Sequence, residues 1–464
     1  MNTKIIDSTI RQLMRKSNTP GVAISVIKDE NIIYSKGFGC RNLKQQLPMT
    51  SDTLIGIGSI TKSMTAFAII KLQEMGKLSI EDSVSDYLEV EPFKSRCDIK
   101  LKHLLSHSSG IPSLDAGMLS FNYTFNDLSR IYPASSREDF MAHLAGAEEF
   151  IVFKPGEKFF YNNDMYTCLG FIIEGLSCMS FEQFIQQEIL DPLRMKRAVL
   201  TKYALDQDLN NNVMTGYLID AKNGKAAIKE GDIPIGGFLQ AAGGLYASMN
   251  EMLNYAQCLL NNGQFNGEQL ISPASVSQLF SGKISTPYGN SDNPQYALGW
   301  SIEEKSEEMP YVAIRHGGGM GTSSSFLIMV PELKLAICAA ENSSTGVIQI
   351  ISRAVIASVL GKEPTHAVED LRLGKILDDI EGTYKSAYNL YSLTISLKGR
   401  LLQADVETDD GSFIFPLIPH DIDKLEFFAY SLKSKNKANV VFYRNKDTNQ
   451  VEFAAYDRFL YRRT

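Results

Sequence analysis

Thr53-Leu54-Ile55-Gly56-Ile57-Gly58-Ser59-Ile60-Thr61-Lys62 is the stretch whose reading decides the fold. Ser59 and Lys62 are three positions apart, so on a helix they share a face and the amine reaches the hydroxyl. The apolar run before them carries two glycines, which permit a tight approach to the serine. After them, Met64, Phe67, Ala68, Ile70, Leu72 and Met75 follow an approximately helical period, and Gly76 ends the run. By itself the pattern is weak. A chain of this composition contains roughly one or two Ser-x-x-Lys by chance.

Outward from that stretch, 464 residues suffice for two or three domains and a large core. With 44% hydrophobic and 21% charged residues the composition is that of a globular protein. A net charge of −7 argues against nucleic-acid partners and anionic membrane surfaces. No apolar run reaches the roughly twenty residues of a transmembrane helix, so no membrane span is expected. The N-terminus lacks an apolar core and meets Asp7, which predicts no secretory signal. Six scattered cysteines (Cys40, Cys97, Cys168, Cys178, Cys258 and Cys338) without a Cys-x-x-Cys predict buried free thiols. A cytoplasmic location follows as the default.

Ile6, Ile10, Leu13 and Met14 predict an N-terminal helix over 3–16, and Val22–Ile27 with Ile32–Lys36 a hairpin. Residues 79–205 read mainly as helices and loops, and 206–232 as a loop or small hairpin. A helix near Met249–Leu260 has Asn250 as its candidate N-cap. Tyr296–Ile302, Tyr311–Arg315, Ser324–Val330 and Ala336–Ala340 read as sequential antiparallel strands, followed by a helix over Val347–Leu360. Lys362–His366 resembles a linker, and from Gly382 onward short strand-like runs recur. Seven or eight of them in about eighty residues predict a separate small barrel. The expected domains are 1–362, a linker at 363–369, and a barrel domain at 370–464.

Two further motifs stand in order downstream: Tyr161-x-Asn163 and His316-x-Gly318. With Ser59-x-x-Lys62 they resemble the penicillin-recognising serine hydrolases, a family of class C β-lactamases, DD-peptidases and related esterases and peptidases. Flanking text carries the same resemblance: Leu104-Leu105-Ser106-His107-Ser108-Ser109-Gly110-Ile111-Pro112, Pro155-Gly156, Ala242-Gly243-Gly244-Leu245 and Tyr296-x-Leu298-Gly299-Trp300. The C-terminal runs are similar to the lipocalin-like domain appended to some CubicO-type Ser-Lys peptidases.

The resemblance implies an α/β fold, an antiparallel sheet flanked by helices with an inserted helical subdomain, and a C-terminal antiparallel β-barrel. It implies Ser59 as nucleophile, Lys62 and Tyr161 as proton-handling groups, and the backbone N–H groups of Ser59 and Gly319 as oxyanion hole. Asn163, His316 and Gly318 would bind substrate. Lys62 serves as a base only if its pKa falls well below the free value. Tyr161 works either as an acid or shuttle, or with its pKa lowered by Lys62. Many relatives carry Ser in the middle of the second motif, where this chain has Asn162.

His316 stands where β-lactamases and DD-peptidases usually carry lysine. A lysine suits a substrate carboxylate, whereas a histidine is only partly charged at neutral pH. That departure favours the peptidase and esterase relatives. His103 and His107 have the spacing of a metal pair, but no third ligand is suggested. No metal or other cofactor is expected. Tyr296 and Trp300 read as core or pocket lining, and His143, His366 and His420 lack a motif context.

The expected reaction is two-step acyl transfer on amide bonds of short peptides, D-residues included, with a small molecule or short peptide as the partner. An esterase, a weak β-lactamase and a non-catalytic ligand-binding or assembly relative remain alternatives. The barrel is expected to cap the cleft or to bridge to another subunit in a homo-oligomer.

Overall fold

The computed structural model describes residues 1–114, 135–222, 225–231, 237–287, 293–306, 309–398, 401–408, 411–430 and 437–464. They form two compact units, Asn2–Ser352 and, with Met1, Arg353–Thr464.

The first unit is built on a nine-stranded sheet that joins the two ends of its chain. Helix α1 (Thr3–Ser17) leads into the hairpin of β1 (Gly21–Lys28) and β2 (Asn31–Asn42). Far downstream come β3 (Ser301–Glu303), β4 (Ala313–Gly319), β5 (Ser324–Val330) and β6 (Leu335–Glu341). β6 pairs antiparallel with β1, Val22 opposite Glu341 and Lys28 opposite Leu335, and this pairing closes the sheet. All seven residues of β6 are buried, so it shows no alternation; Leu335–Ala340 read as a continuous, mostly small apolar run, ended by the buried Glu341.

Helix α2 (Thr61–Glu74) is buried on nearly every side, eleven of its fourteen residues being inaccessible. A helix wrapped in core needs no polar face, and this one has only short polar side chains and Lys62 among its buried set. Helix α3 (Asn163–Ser177) packs beside it, with Met165, Leu169, Ile172 and Ile173 in the same core. Gly216–Lys222 and Lys225–Gly231 pair as the small hairpin expected there.

Several local expectations are corrected. The stretch Tyr296–Ile302 is not one strand. It splits into Gln295–Tyr296 and β3, joined by a turn in which Ala297 N–H donates to Trp300 O at 2.7 Å. Helix α4 (Met249–Leu260) is capped by Ser248, not Asn250. The Ser248 hydroxyl accepts from Glu251 N–H, and the Glu251 carboxylate accepts from Ser248 in return. Asn250, one residue inside, turns to Ser25, Ser35 and Asp52. The six cysteines are all free, but only Cys168, Cys258 and Cys338 are buried; Cys97 and Cys178 are exposed.

Helix α5 (Val347–Val359) follows β6 as expected. The residues read as a linker are helical, in a short turn at Pro364–Ala367 and in α6 (Glu369–Ile380). Beyond them eight antiparallel strands close a barrel, from Gly382–Ser386 to Phe459–Arg463. Its core holds Tyr384, Leu393, Ile395, Phe427, Phe442 and Tyr461, with Ile376 and Ile380 of α6 added. No single helix among the described residues is long and apolar enough to cross a membrane.

Candidate active site

The three sequence motifs converge at the start of α2. Ser59 lies in a 3-10 turn, Gly58–Ile60, that runs directly into α2, which puts Lys62 one turn on and on the same side. Gly58 is required there: its φ is +53°, and a Cβ would lie 2.6 Å from Gly319 N. The absence of a side chain lets the Ser59 turn meet the end of β4. Ser325 Oγ fastens the approach by donating to Ile57 O at 2.5 Å.

From the other side the Ala241–Leu245 segment braces α2. Thr65 Oγ1 donates to Ala241 O at 2.7 Å, and Leu245 N–H donates to Thr61 Oγ1 at 3.2 Å. The apolar-plus-glycine composition of that segment lets backbone pack directly on the helix.

Lys62 is wholly buried. Its Nζ lies 2.6 Å from Ala242 O, 2.7 Å from Asn163 Oδ1 and 3.0 Å from Ser59 Oγ. Burial pushes its pKa well down, and the carboxylate of Asp164 opposes that shift only in part. A neutral amine has two N–H bonds and one lone pair. The two obligate acceptors, Ala242 O and Asn163 Oδ1, take the N–H bonds. The lone pair is then left for Ser59, whose hydroxyl becomes the donor. This is the arrangement of a general base.

Tyr161 reaches the same serine. Its hydroxyl is hydrogen-bonded to the Ser59 side chain, and its ring centroid stands 4.9 Å from Lys62 Nζ. The alternative of a phenol acidified by Lys62 does not hold: burial raises the Tyr161 pKa, and the Ser59 hydrogen bond offsets this only partly. Tyr161 therefore keeps its proton and is equipped as an acid or shuttle.

His316, on β4, is buried, with its Nδ1 2.6 Å from Gly317 O and its Nε2 2.9 Å from Tyr296 Oη. A carbonyl only accepts, so Nδ1 carries the proton and Nε2 accepts from the tyrosine. Burial first, and the nearby Lys62 second, bring its pKa down to about 3. The expected partial charge at neutral pH is thus corrected: the imidazole is neutral. Gly317, Gly318 and Gly319 pair with β5, while the pairing of β3 with β4 stops at Arg315. Among the described residues, one edge of 316–319 therefore carries no strand partner, the position for an extended substrate backbone.

Around Ser59 opens a cleft of about 320 Å³, walled by Phe159, Tyr161, Tyr296, Ser301 and His316. None of the described residues lining it is charged. Every expected site residue is within this assembly: Ser59, Lys62, Tyr161, Asn163, His316, Gly318 and Gly319. Others join them that the motifs do not announce. Asp164 is the buried carboxylate nearest in effect to Lys62, Tyr166 has its ring 5.5 Å from Lys62 Nζ, and Ala242 gives its carbonyl. Asn162 is the N-cap of α3, accepting from Asp164 and Met165 N–H groups and donating to Ile111 O and Pro112 O. Asn162 is the middle residue of the second motif, and Asp164 and Tyr166 follow it closely, the one signal that could have pointed to their part in the site.

Compared with known proteins, residues 6–359 match the family described as Beta-lactamase, and residues 364–462 the one described as the Pab87 octamerisation domain. The octameric penicillin-binding protein homologue from Pyrococcus abyssi is similar over 99% of this chain and all of its own, with 30% identity and a TM-score of 0.89. A class C beta-lactamase aligns over 76% of this chain and 94% of its own, at 20% identity and a TM-score of 0.59, a likeness of fold. Protein flp of Staphylococcus aureus (strain MW2) is 26% identical over 350 residues, 73% of this chain. The chain spans 62% of the length of that relative.

Proposed function

The chain belongs to the beta-lactamase family, and from that premise we propose that it is a serine hydrolase working through an acyl-enzyme on amide bonds of short peptides. One observation carries the reading. Ser59 Oγ lies 3.0 Å from the buried Lys62 Nζ, whose pKa burial pushes well down, and is hydrogen-bonded to the Tyr161 phenol, whose pKa burial raises.

In the first step Ser59 Oγ attacks the carbonyl carbon while its proton passes to Lys62 Nζ. The oxyanion is met by the backbone N–H groups of Ser59 and Gly319. As the C–N bond breaks, a proton from the Lys62 ammonium reaches the leaving nitrogen through the Tyr161 hydroxyl. Water then releases the acyl group by the same route in reverse. Asn163, with its Oδ1 on Lys62, offers its Nδ2 to a substrate carbonyl, and the unpaired edge at His316–Gly318 receives the backbone. No step draws on a metal or organic cofactor.

The His-x-Gly form and the C-terminal barrel support the peptidase branch, D-residues included. The neutral His316 and the uncharged cleft also support a second reading, an esterase for uncharged acyl groups, over a β-lactamase needing a cation for the penicillin carboxylate. The match of the C-terminal region to an octamerisation domain, and an octameric relative, support assembly into a homo-oligomer through the barrel.

A fluorophosphonate probe tests the reaction class: it is expected to label the wild type and not Ser59→Ala. Equal labelling of both, or of neither, would overturn it. Hydrolysis of D- and L-aminoacyl amides, a cephalosporin and a short-chain ester then separates the substrate readings.

A further inference from the structure

We propose that His107 is a positioning residue for Tyr161, holding the two backbone N–H groups on either side of it. The inference rests on the serine-hydrolase reading above. Phe160 N–H donates to His107 O at 2.8 Å, and Asn162 N–H donates to His107 Nδ1 at 3.1 Å. One residue thus grips the chain immediately before and after the phenol, once through its backbone and once through its ring. The ring itself lies 4.3 Å from that of Tyr161, centroid to centroid and tilted by 39°.

The grip is rigid. His107 is 1% exposed and has a φ of +56°, a left-handed conformation uncommon for a side chain of its size. Because Nδ1 accepts an N–H, the proton sits on Nε2, and the imidazole is neutral in this arrangement. On its other flanks the ring meets Tyr166 at 5.1 Å and Tyr296 at 4.9 Å. Tyr296 in turn donates to His316 Nε2. His107 therefore stands between the second and third motifs and packs on Tyr161 and Tyr296 without itself lining the cleft. Backbone fixed on both sides and a ring face together set where the phenol points, and a shift of about 1 Å in such a group costs about a hundredfold in rate.

The test compares kcat and KM on an aminoacyl p-nitroanilide, whose leaving nitrogen needs a proton, for the wild type, His107→Leu, His107→Asn, Tyr161→Phe and the Leu/Phe double variant, with thermal midpoints for each. His107→Leu is expected to lower kcat about 30–100-fold with KM changed less than about threefold, and to add less than about threefold to Tyr161→Phe. Asparagine tolerates the left-handed backbone and places an amide oxygen near the former Nδ1. His107→Asn is therefore expected to stay within about fivefold of wild-type kcat. This variant carries the test if the leucine variant does not fold. Equal losses from His107→Leu in both backgrounds, a wild-type kcat in His107→Leu, or a folded His107→Asn as slow as Tyr161→Phe would each overturn the proposal. A wild type that neither labels with fluorophosphonate nor turns over removes the hydrolase reading itself; a labelled wild type with any of those outcomes removes only the role of His107.

Discussion

Lys62 shows how a side chain's chemistry is decided by what surrounds it. In water a lysine is a cation with three donors; buried between two acceptors and a hydroxyl it is worth more to the site as an amine. Arginine cannot follow it there, since the guanidinium stays charged. Lys62→Arg is expected to lower kcat by about 10³-fold. In the wild type, kcat/KM should rise with pH and level off well below pH 10, because protonation below the lowered Lys62 value removes the lone pair. A pH–rate profile that rises up to the ordinary lysine range would contradict this. His316 has a stability consequence as well. Its folded pKa of about 3 lies below the ordinary value of 6.5. Above pH 6.5 both folded and unfolded forms are neutral; below it the unfolded form takes a proton that the native form refuses. Stability therefore falls as the pH drops from about 6.5 toward 3. His107, shifted the same way, adds to the trend. In urea unfolding, His316→Asn should lose about 2–3 kcal/mol less than the wild type between pH 6.5 and 4.5.

At the scale of elements, the site depends on how closely the nucleophile turn meets β4. A Cβ on Gly318 would lie 1.9 Å from Ile57 O, a backbone atom with no freedom to yield. Gly318→Ala is expected to cost about 2 kcal/mol or more in urea unfolding and to slow fluorophosphonate labelling, because the proposed oxyanion donors, Ser59 and Gly319 N–H, part as the strand and turn separate. Wild-type stability and labelling in that variant would show that the contact is dispensable. Elements with strong local signals were legible in advance. The hairpin at 21–42 has polar residues between two β-rich runs, and β5 and β6 are bounded by turn formers. The failures have local causes too. Ser248 and Asn250 are both good caps, and only the return bond from Glu251 chooses between them. The split after Tyr296 comes from a turn that packs in the core, beside a Trp300 that is fully buried.

For the whole molecule, the unit at Arg353–Thr464 displays large apolar side chains on its outside. Tyr388 is 94% exposed, Leu390 61%, Ile414 59% and Leu460 55%. Such surface suits contact with a second copy. Sedimentation velocity should find a homo-oligomer, and Ile414→Lys with Leu460→Lys should shift it to smaller species while Ser59 still labels. A monomeric wild type would sink the assembly reading. What the sequence by itself determined is the list of reactive groups and the order of the elements that carry them. Spacing of three on a helix commits Lys62 to Ser59, and period-two runs commit the C-terminal region to short strands. Tertiary structure alone decided the state of those groups. Lys62 is pushed toward the neutral amine, Tyr161 is kept a phenol and His316 a neutral acceptor because folding strips away water and supplies partners such as Ala242 and Tyr296, which lie 180 and 20 positions away in the chain. His107 has the same origin: its neighbours Tyr161, Tyr166 and Tyr296 meet it only when distant segments pack, and no local pattern encodes such a meeting.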